Sequence, residues 1–164
     1  MLLNRFWENC FNMKLTTKGK FAVTALLDIA IYGESGKPMT LYAISDRQGI
    51  SISYLEQLFV KLRRQGMVKS YKGPGGGYVL SKSLEQLKVS EIIKAVDDDM
   101  DARTCHGMKN CKDNNKCLTH DLWNDLTNHV YTYLDSVSLQ NLVNNANVAN
   151  SESHKIKLVM QGSV

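Results

Sequence analysis

Cys105, Cys111, Cys117 and His120 stand at C-x5-C-x5-C-x2-H spacing in a polar stretch that leads into an amphipathic segment. Thiolates are soft ligands suited to zinc or to iron-sulfur chemistry. An imidazole in place of a fourth thiolate makes such a site less negative and one of its bonds protonatable. The donor set alone admits both metals. Zinc sites usually pair cysteines roughly two to four residues apart; here gaps of five put each sulfur on its own stretch of loop, a layout that can wrap a larger cluster without requiring one. His106 and His129 compete for the fourth place, and His120 is preferred because it follows Cys117 where a helix begins and shares one inward face with it. The odd number of clustered cysteines and the lack of an export signal favour reduced ligands over a disulfide framework. Cys10, far upstream, reads as an inert spare thiol.

The elements that must position this site follow from periodicity and punctuation. Phe21, Ala22, Ala25, Leu26, Ile29 and Ala30 recur at helical spacing over 17–33, before the stop signals Gly33, Gly36 and Pro38. Thr40 can cap a short second helix ending at Gly49. Ser51 or Ser53 can cap a third, with Leu55, Leu58, Phe59 and Leu62 on one face and Ser53 with Glu56 as a capping box; it ends at Gly66. Met67 to Tyr71 and Tyr78 to Leu80 read as two strands around a glycine-rich tip. A fourth helix covers about Val89 to Asp97. From about Cys117 a long helix carries Leu118, Leu122, Leu126, Val130, Tyr133, Leu134 and Val137 as an apolar stripe, with Trp123 beside it as a packing anchor and a shorter helix from Leu139 to Val143 behind it. The Asn- and Ser-rich tail from Asn144 reads as disordered.

The formal net charge of +4 is unevenly placed: residues 1–80 hold 11 Lys or Arg against 5 Asp or Glu, and residues 81–164 hold 9 against 11. A basic first half points to a polyanion. Two short helices joined by a tight turn, then a hairpin, fit a winged helix-turn-helix on double-stranded DNA, with the second helix entering the major groove by its N-terminal end. Ser51, Ser53, Tyr54, Glu56 and Gln57 are the candidates for base edges, Lys61, Arg63 and Arg64 for phosphates, and Lys72, with Lys69, for the adjacent minor groove. The Gly-Pro-Gly-Gly-Gly tip lacks the Gly-Lys-Ser/Thr ending of a phosphate-cradling loop. No window approaches the ~18 apolar residues of a membrane span, and no catalytic constellation stands out, so a soluble, cytoplasmic non-enzyme is expected. The apolar stripe of the long helix exceeds what so small a wing domain can cover, which favours a homodimer.

LTTKGKFAVTALLDIA, ISDRQGISISYLEQLFVKLRRQGMV, GPGGGYVLSK and the cysteine spacing followed by Leu118, Thr119 and His120 resemble the IscR family of iron-sulfur-cluster-sensing winged helix-turn-helix transcriptional regulators. The resemblance runs from Met13 to about Asn145. It implies a mostly α fold with a small β-hairpin wing: a winged helix-turn-helix domain over 13–82, a connecting helix over 83–100, a cluster-binding loop over 101–117 and a dimerisation helix region over 117–144. Residues 1–12 are then an extension and 145–164 a disordered tail. It implies, too, a homodimer holding one 2Fe-2S cluster per subunit through Cys105, Cys111, Cys117 and His120. Such a regulator controls genes of cluster assembly, mainly as a repressor and at some promoters as an activator. Nitric-oxide- or iron-sensing relatives, a zinc-stabilised DNA-binding protein and a cluster carrier are the alternatives. One departure is Lys72, where the family usually has an arginine before Gly-Pro.

Overall fold

The computed structural model describes residues 17–34, 37–96, 105, 107–111 and 115–148. The proposed extension 1–12, Cys10, the acidic run 97–101, His106 and residues 149–164 of the tail lie outside them.

Helix α1, Thr17–Tyr32, turns Ala22, Ala25, Leu26 and Ile29 inward, the face its spacing predicted. Gly19 brings its first turn against Ile93 of α4, Val89–Val96: a Cβ there would stand 3.1 Å from the Ile93 Cγ2. Helix α2, Leu41–Gln48, starts where expected, with the Thr40 hydroxyl accepting from the Ala43 amide at 3.2 Å. It stops at Gly49, whose φ of 65° is the left-handed conformation that glycine adopts without a Cβ clash. Helix α3, Ile52–Arg64, buries Leu55, Leu58, Phe59 and Leu62. The Ser53–Glu56 capping box is not made: Ser51 is the cap residue and its side chain forms no capping bond. The chain at Ser51 is already extended, so helical geometry begins one residue before Ser53, which then lies within the first turn.

A buried ion pair fixes α2 on α1. Asp28, 2% exposed, receives the Arg47 Nη2 at 2.6 Å, Nε at 3.0 Å and the Gln48 Nε2 at 2.7 Å, while the Arg47 guanidinium lies 4.9 Å from the Tyr32 ring centre. Asp28 sits one position from Ile29 on the inward face, and only this pairing makes its burial tolerable.

Strands β1, Val68–Tyr71, and β2, Gly77–Leu80, form the antiparallel wing, in register Val68 with Leu80 and Tyr71 with Gly77. Met39 adds a third, one-residue rung: its amide donates to the Tyr78 carbonyl at 2.9 Å and its carbonyl accepts from the Tyr78 amide at 2.8 Å. Gly77 makes this approach possible, since at φ 155° a Cβ would stand 2.3 Å from the Met39 oxygen. The Tyr78 ring then tilts onto Phe59, 4.6 Å between centres, which seats the wing on α3.

Helix α5, His120–Ser136, leaves the cysteine segment, and a sixth helix, α6, covers 139–148. Its cap is reciprocal: the Asn141 amide donates to the Ser138 hydroxyl at 3.3 Å and the Ser138 amide to the Asn141 Oδ1 at 2.9 Å. The helix continues past Asn144, where composition predicted a disordered tail; fully buried Leu139, with Leu142 packed on the same core, anchors it, and this non-local burial is invisible to composition. Val89 N–H to Val137 C=O at 3.0 Å, Leu139 N–H to Leu87 C=O at 2.9 Å and Ser90 Oγ to Asp135 Oδ1 at 2.7 Å bind α4 to the α5–α6 junction. Among the described residues, no helix is long and apolar enough to cross a membrane.

Candidate metal centre and nucleic-acid interface

The cysteine segment folds back on the first turn of α5. His120, its first residue, is 3% exposed and aims Nδ1 at two sulfurs, 3.1 Å from Cys111 and 3.5 Å from Cys105, which themselves stand 3.3 Å apart. The donor atoms of Cys105, Cys111 and His120 all lie within 4.8 Å of one another. Cys117 is not in that tightest group; its thiol bonds to Cys111 and stands 3.9 Å from the Thr119 hydroxyl. His129 is on the exposed side of α5 with Nδ1 on its own helix, 2.7 Å from the Asp125 carbonyl, so it is remote from the group that His120 joins.

Backbone amides complete the sulfur environment. Gly107 and Lys109 both take positive φ, 83° and 59°, and their amides reach the Cys105 sulfur. Burial pushes that thiol up, but the bond from Cys111 and these amides outweigh it and hold it below its ordinary value. Burial likewise raises Cys117, and the bonds from Cys111 and Thr119 bring it below. Cys111 accepts the Cys117 amide, which lowers it, yet as donor to Cys105 it ends above its ordinary value. Thiols set this close must give up their protons to hold a cation. The amide donors were missed by the sequence reading; Gly107, two residues after Cys105, is the signal that such a turn leaves. Three sulfurs and an imidazole with N–H donors behind them suit a zinc ion or an iron-sulfur cluster. Trp123, read as a packing anchor, is half-buried and donates Nε1 to the Thr119 hydroxyl at 3.2 Å, so it braces the residue next to His120.

Ser51, Ser53, Glu56 and Gln57 lie exposed on the first half of α3, and Arg63, Arg64, Lys69 and Lys72 are exposed around its end and the wing. Arg63 reaches across to the Ser70 hydroxyl at 3.4 Å. Two residues sit differently from expectation. Tyr54 is half-buried with its ring edge-on to Phe21 at 5.6 Å, because the core side of α3 lies one position away at Leu55. Lys61 is half-buried and donates Nζ to the Val96 carbonyl at 2.9 Å rather than standing free for phosphate. Lys18, which the sequence reading passed over, borders a cavity of about 60 Å³ with Tyr54, Gln57, Leu58 and Lys61.

The stripe of α5 is left largely open. Leu118, Leu122 and Tyr133 are exposed and Leu126, Val130 and Leu134 only half-buried.

Residues 15–145 match the family Rrf2, described as iron-dependent transcriptional regulators. The chain is 52% identical over 136 residues to the HTH-type transcriptional regulator IscR of Photorhabdus laumondii, covering 83% of this chain and 82% of that protein. It is 53% identical over 136 residues to that of Cronobacter sakazakii, covering 83% of each. Among solved structures, IscR of T. potens superposes with a TM-score of 0.69 at 32% identity, over 83% of this chain and 90% of that one.

Proposed function

The chain belongs to the Rrf2 family of DNA-binding transcriptional regulators, and we propose that within it this protein is an iron-sulfur-cluster sensor controlling genes of cluster assembly, mainly as a repressor. It is a regulator and not an enzyme. The observation that carries the sensor reading is the gathering of Cys105, Cys111 and His120 at the start of α5, with amide donors behind the sulfurs. Cys117, bonded to Cys111, is the remaining ligand of the set. A bound 2Fe-2S cluster would supply a metal centre whose gain and loss report the supply of iron and sulfide.

Everything else is done by the chain. Ser51, Ser53, Glu56 and Gln57 read base edges; Arg63 and Arg64 hold phosphates; Lys72 enters the minor groove. Tyr54 acts behind this surface, bracing α3 on Phe21. A second copy laid on α5 covers Leu118, Leu122 and Tyr133 and sets two α3 helices about 34 Å apart, one turn of duplex. The bare stripe supports this homodimer.

A second reading, a zinc-stabilised DNA-binding protein, is favoured by the compactness of the donor group, which suits a single ion. Anaerobic purification with iron, sulfide and zinc analysis separates the two, followed by duplex selection from a random pool with metal-loaded and metal-free protein. The sensor reading expects about two irons and two sulfides per chain and different selected sequences in the two forms. Stoichiometric zinc without iron, or identical selection, refutes it.

A further inference from the structure

The first turn of α3 carries an aliphatic side chain that the core leaves outside. Ile52 stands three residues before Leu55 and seven before Phe59, so helical spacing puts it on the line of the buried stripe. The core closes without it: Ile50 in the preceding turn is 3% exposed and Leu55 fully buried, while Ile52 between them stays 40% exposed. Ser51 and Ser53 on either side are exposed as well, and the Ser51 hydroxyl is not used in capping the helix.

Charge is divided along α3. Residues 51–55 carry none and Glu56 is the first ionised group, whereas Lys61, Arg63 and Arg64 all fall in the last turn. The cationic end suits phosphates; the neutral end, which leads into the groove, suits base edges. Isoleucine offers a base edge neither donor nor acceptor. Among the donors and acceptors of the major groove there is one apolar group it can complement, the C5-methyl of thymine. Against the cytosine amine or the guanine O6 the same side chain would strip water from a polar group and return no hydrogen bond.

We propose that Ile52 reads a thymine methyl in the major groove and so fixes one T·A pair in the site bound by each α3. The inference rests on the reading of α3 as the base-reading helix and adds to it a contact made without hydrogen bonds. Val60, eight residues further along the same flank and 38% exposed, is the internal comparison, since it lies beside the phosphate-holding end.

Deoxyuridine removes that methyl and leaves the hydrogen-bonding groups of the pair in place. In a duplex selected from a random pool, each thymine is replaced by deoxyuridine in turn, and affinity is measured with full-length protein in one metal state throughout. One replacement per bound α3 should weaken wild-type binding about fourfold, the value of one buried methyl at about 0.8 kcal/mol. Ile52→Ser and Ile52→Ala, which both withdraw the side chain, should lose that sensitivity at the same position. Ile52→Val should keep it, and Val60→Ser should show the wild-type ratio. Each variant is judged by the ratio of its affinities for two duplexes that differ by a methyl, so a general loss of stability or affinity cancels. A selected site without thymine, a flat deoxyuridine scan of wild-type protein, or a sensitivity that survives in Ile52→Ser or Ile52→Ala or vanishes in Val60→Ser overturns the proposal. Failure of the underlying reading shows separately, in wild-type protein that binds no duplex or in a Gln57→Ala variant that selects the wild-type sequences.

Discussion

Arg47→Met tests the buried ion pair that holds α2 on α1. Asp28 is 2% exposed and keeps only the Gln48 amide at 2.7 Å once the guanidinium is gone. Breaking a buried pair by removing one partner costs about 3–5 kcal/mol because a charge is left buried without compensation. The Arg47 side chain is 32% exposed, however, so water can partly occupy the space it leaves, and about 2–3 kcal/mol is the reasonable expectation. Loss of the contact with Tyr32, 4.9 Å away, adds about 0.5 kcal/mol. At about 2–4 °C per kcal/mol for a chain of this size, Tm should drop by roughly 5–14 °C in a thermal melt at fixed protein concentration. Asp28→Leu with Arg47→Met should recover much of that loss, since no charge is then buried alone. A drop under about 2 °C for the single variant, or a double variant less stable than Arg47→Met, would refute the reasoning.

Gly77→Ala should unseat the wing from Met39: two backbone bonds at about 1 kcal/mol each and a clash with the Met39 oxygen predict a loss of about 2–4 kcal/mol in urea unfolding, with weaker duplex binding. Leu122→Asp with Leu126→Asp should turn the dimer into a monomer at micromolar concentration in sedimentation, because carboxylates buried in an apolar interface cost several kcal/mol; wild-type protein that already sediments as a monomer would contradict the homodimer. Arg64→Ala should lower affinity for all duplexes by a similar factor and reduce the salt slope by about 0.9, whereas Gln57→Ala should change the selected sequence, as read by competition between duplexes.

Local signals located most elements because local physics sets them. Thr40 and Gly49 bound α2 through a cap bond and a left-handed turn that involve only near neighbours, and the wing followed from two short strands around glycines. The ligand set was legible as a set, since donor type and spacing are written along the chain. The preference for His120 rested on its place after Cys117, and in the structure its Nδ1 turns toward Cys105 and Cys111; what the sequence lacked was the amides of Gly107 and Lys109, which depend on backbone angles. Ser53–Glu56 misled because a capping box is a pattern that any exposed first turn can carry without using it.

The sequence by itself determined which stretches are helix and hairpin, which half is basic, and which four side chains have the chemistry of a metal site, because periodicity, charge and donor type are properties of the chain read in order. Tertiary structure alone decided that Lys61 serves Val96 instead of solvent, that Asp28 is buried against Arg47, and that Leu139 extends a helix into the tail. Each depends on partners 19 to 52 positions away, from Asp28 with Arg47 and Lys61 with Val96 to Leu139 with Leu87. Those distances along the chain are bridged only when the core has closed, and no periodic pattern encodes which of several exposed lysines, aspartates or leucines will be the one brought inside.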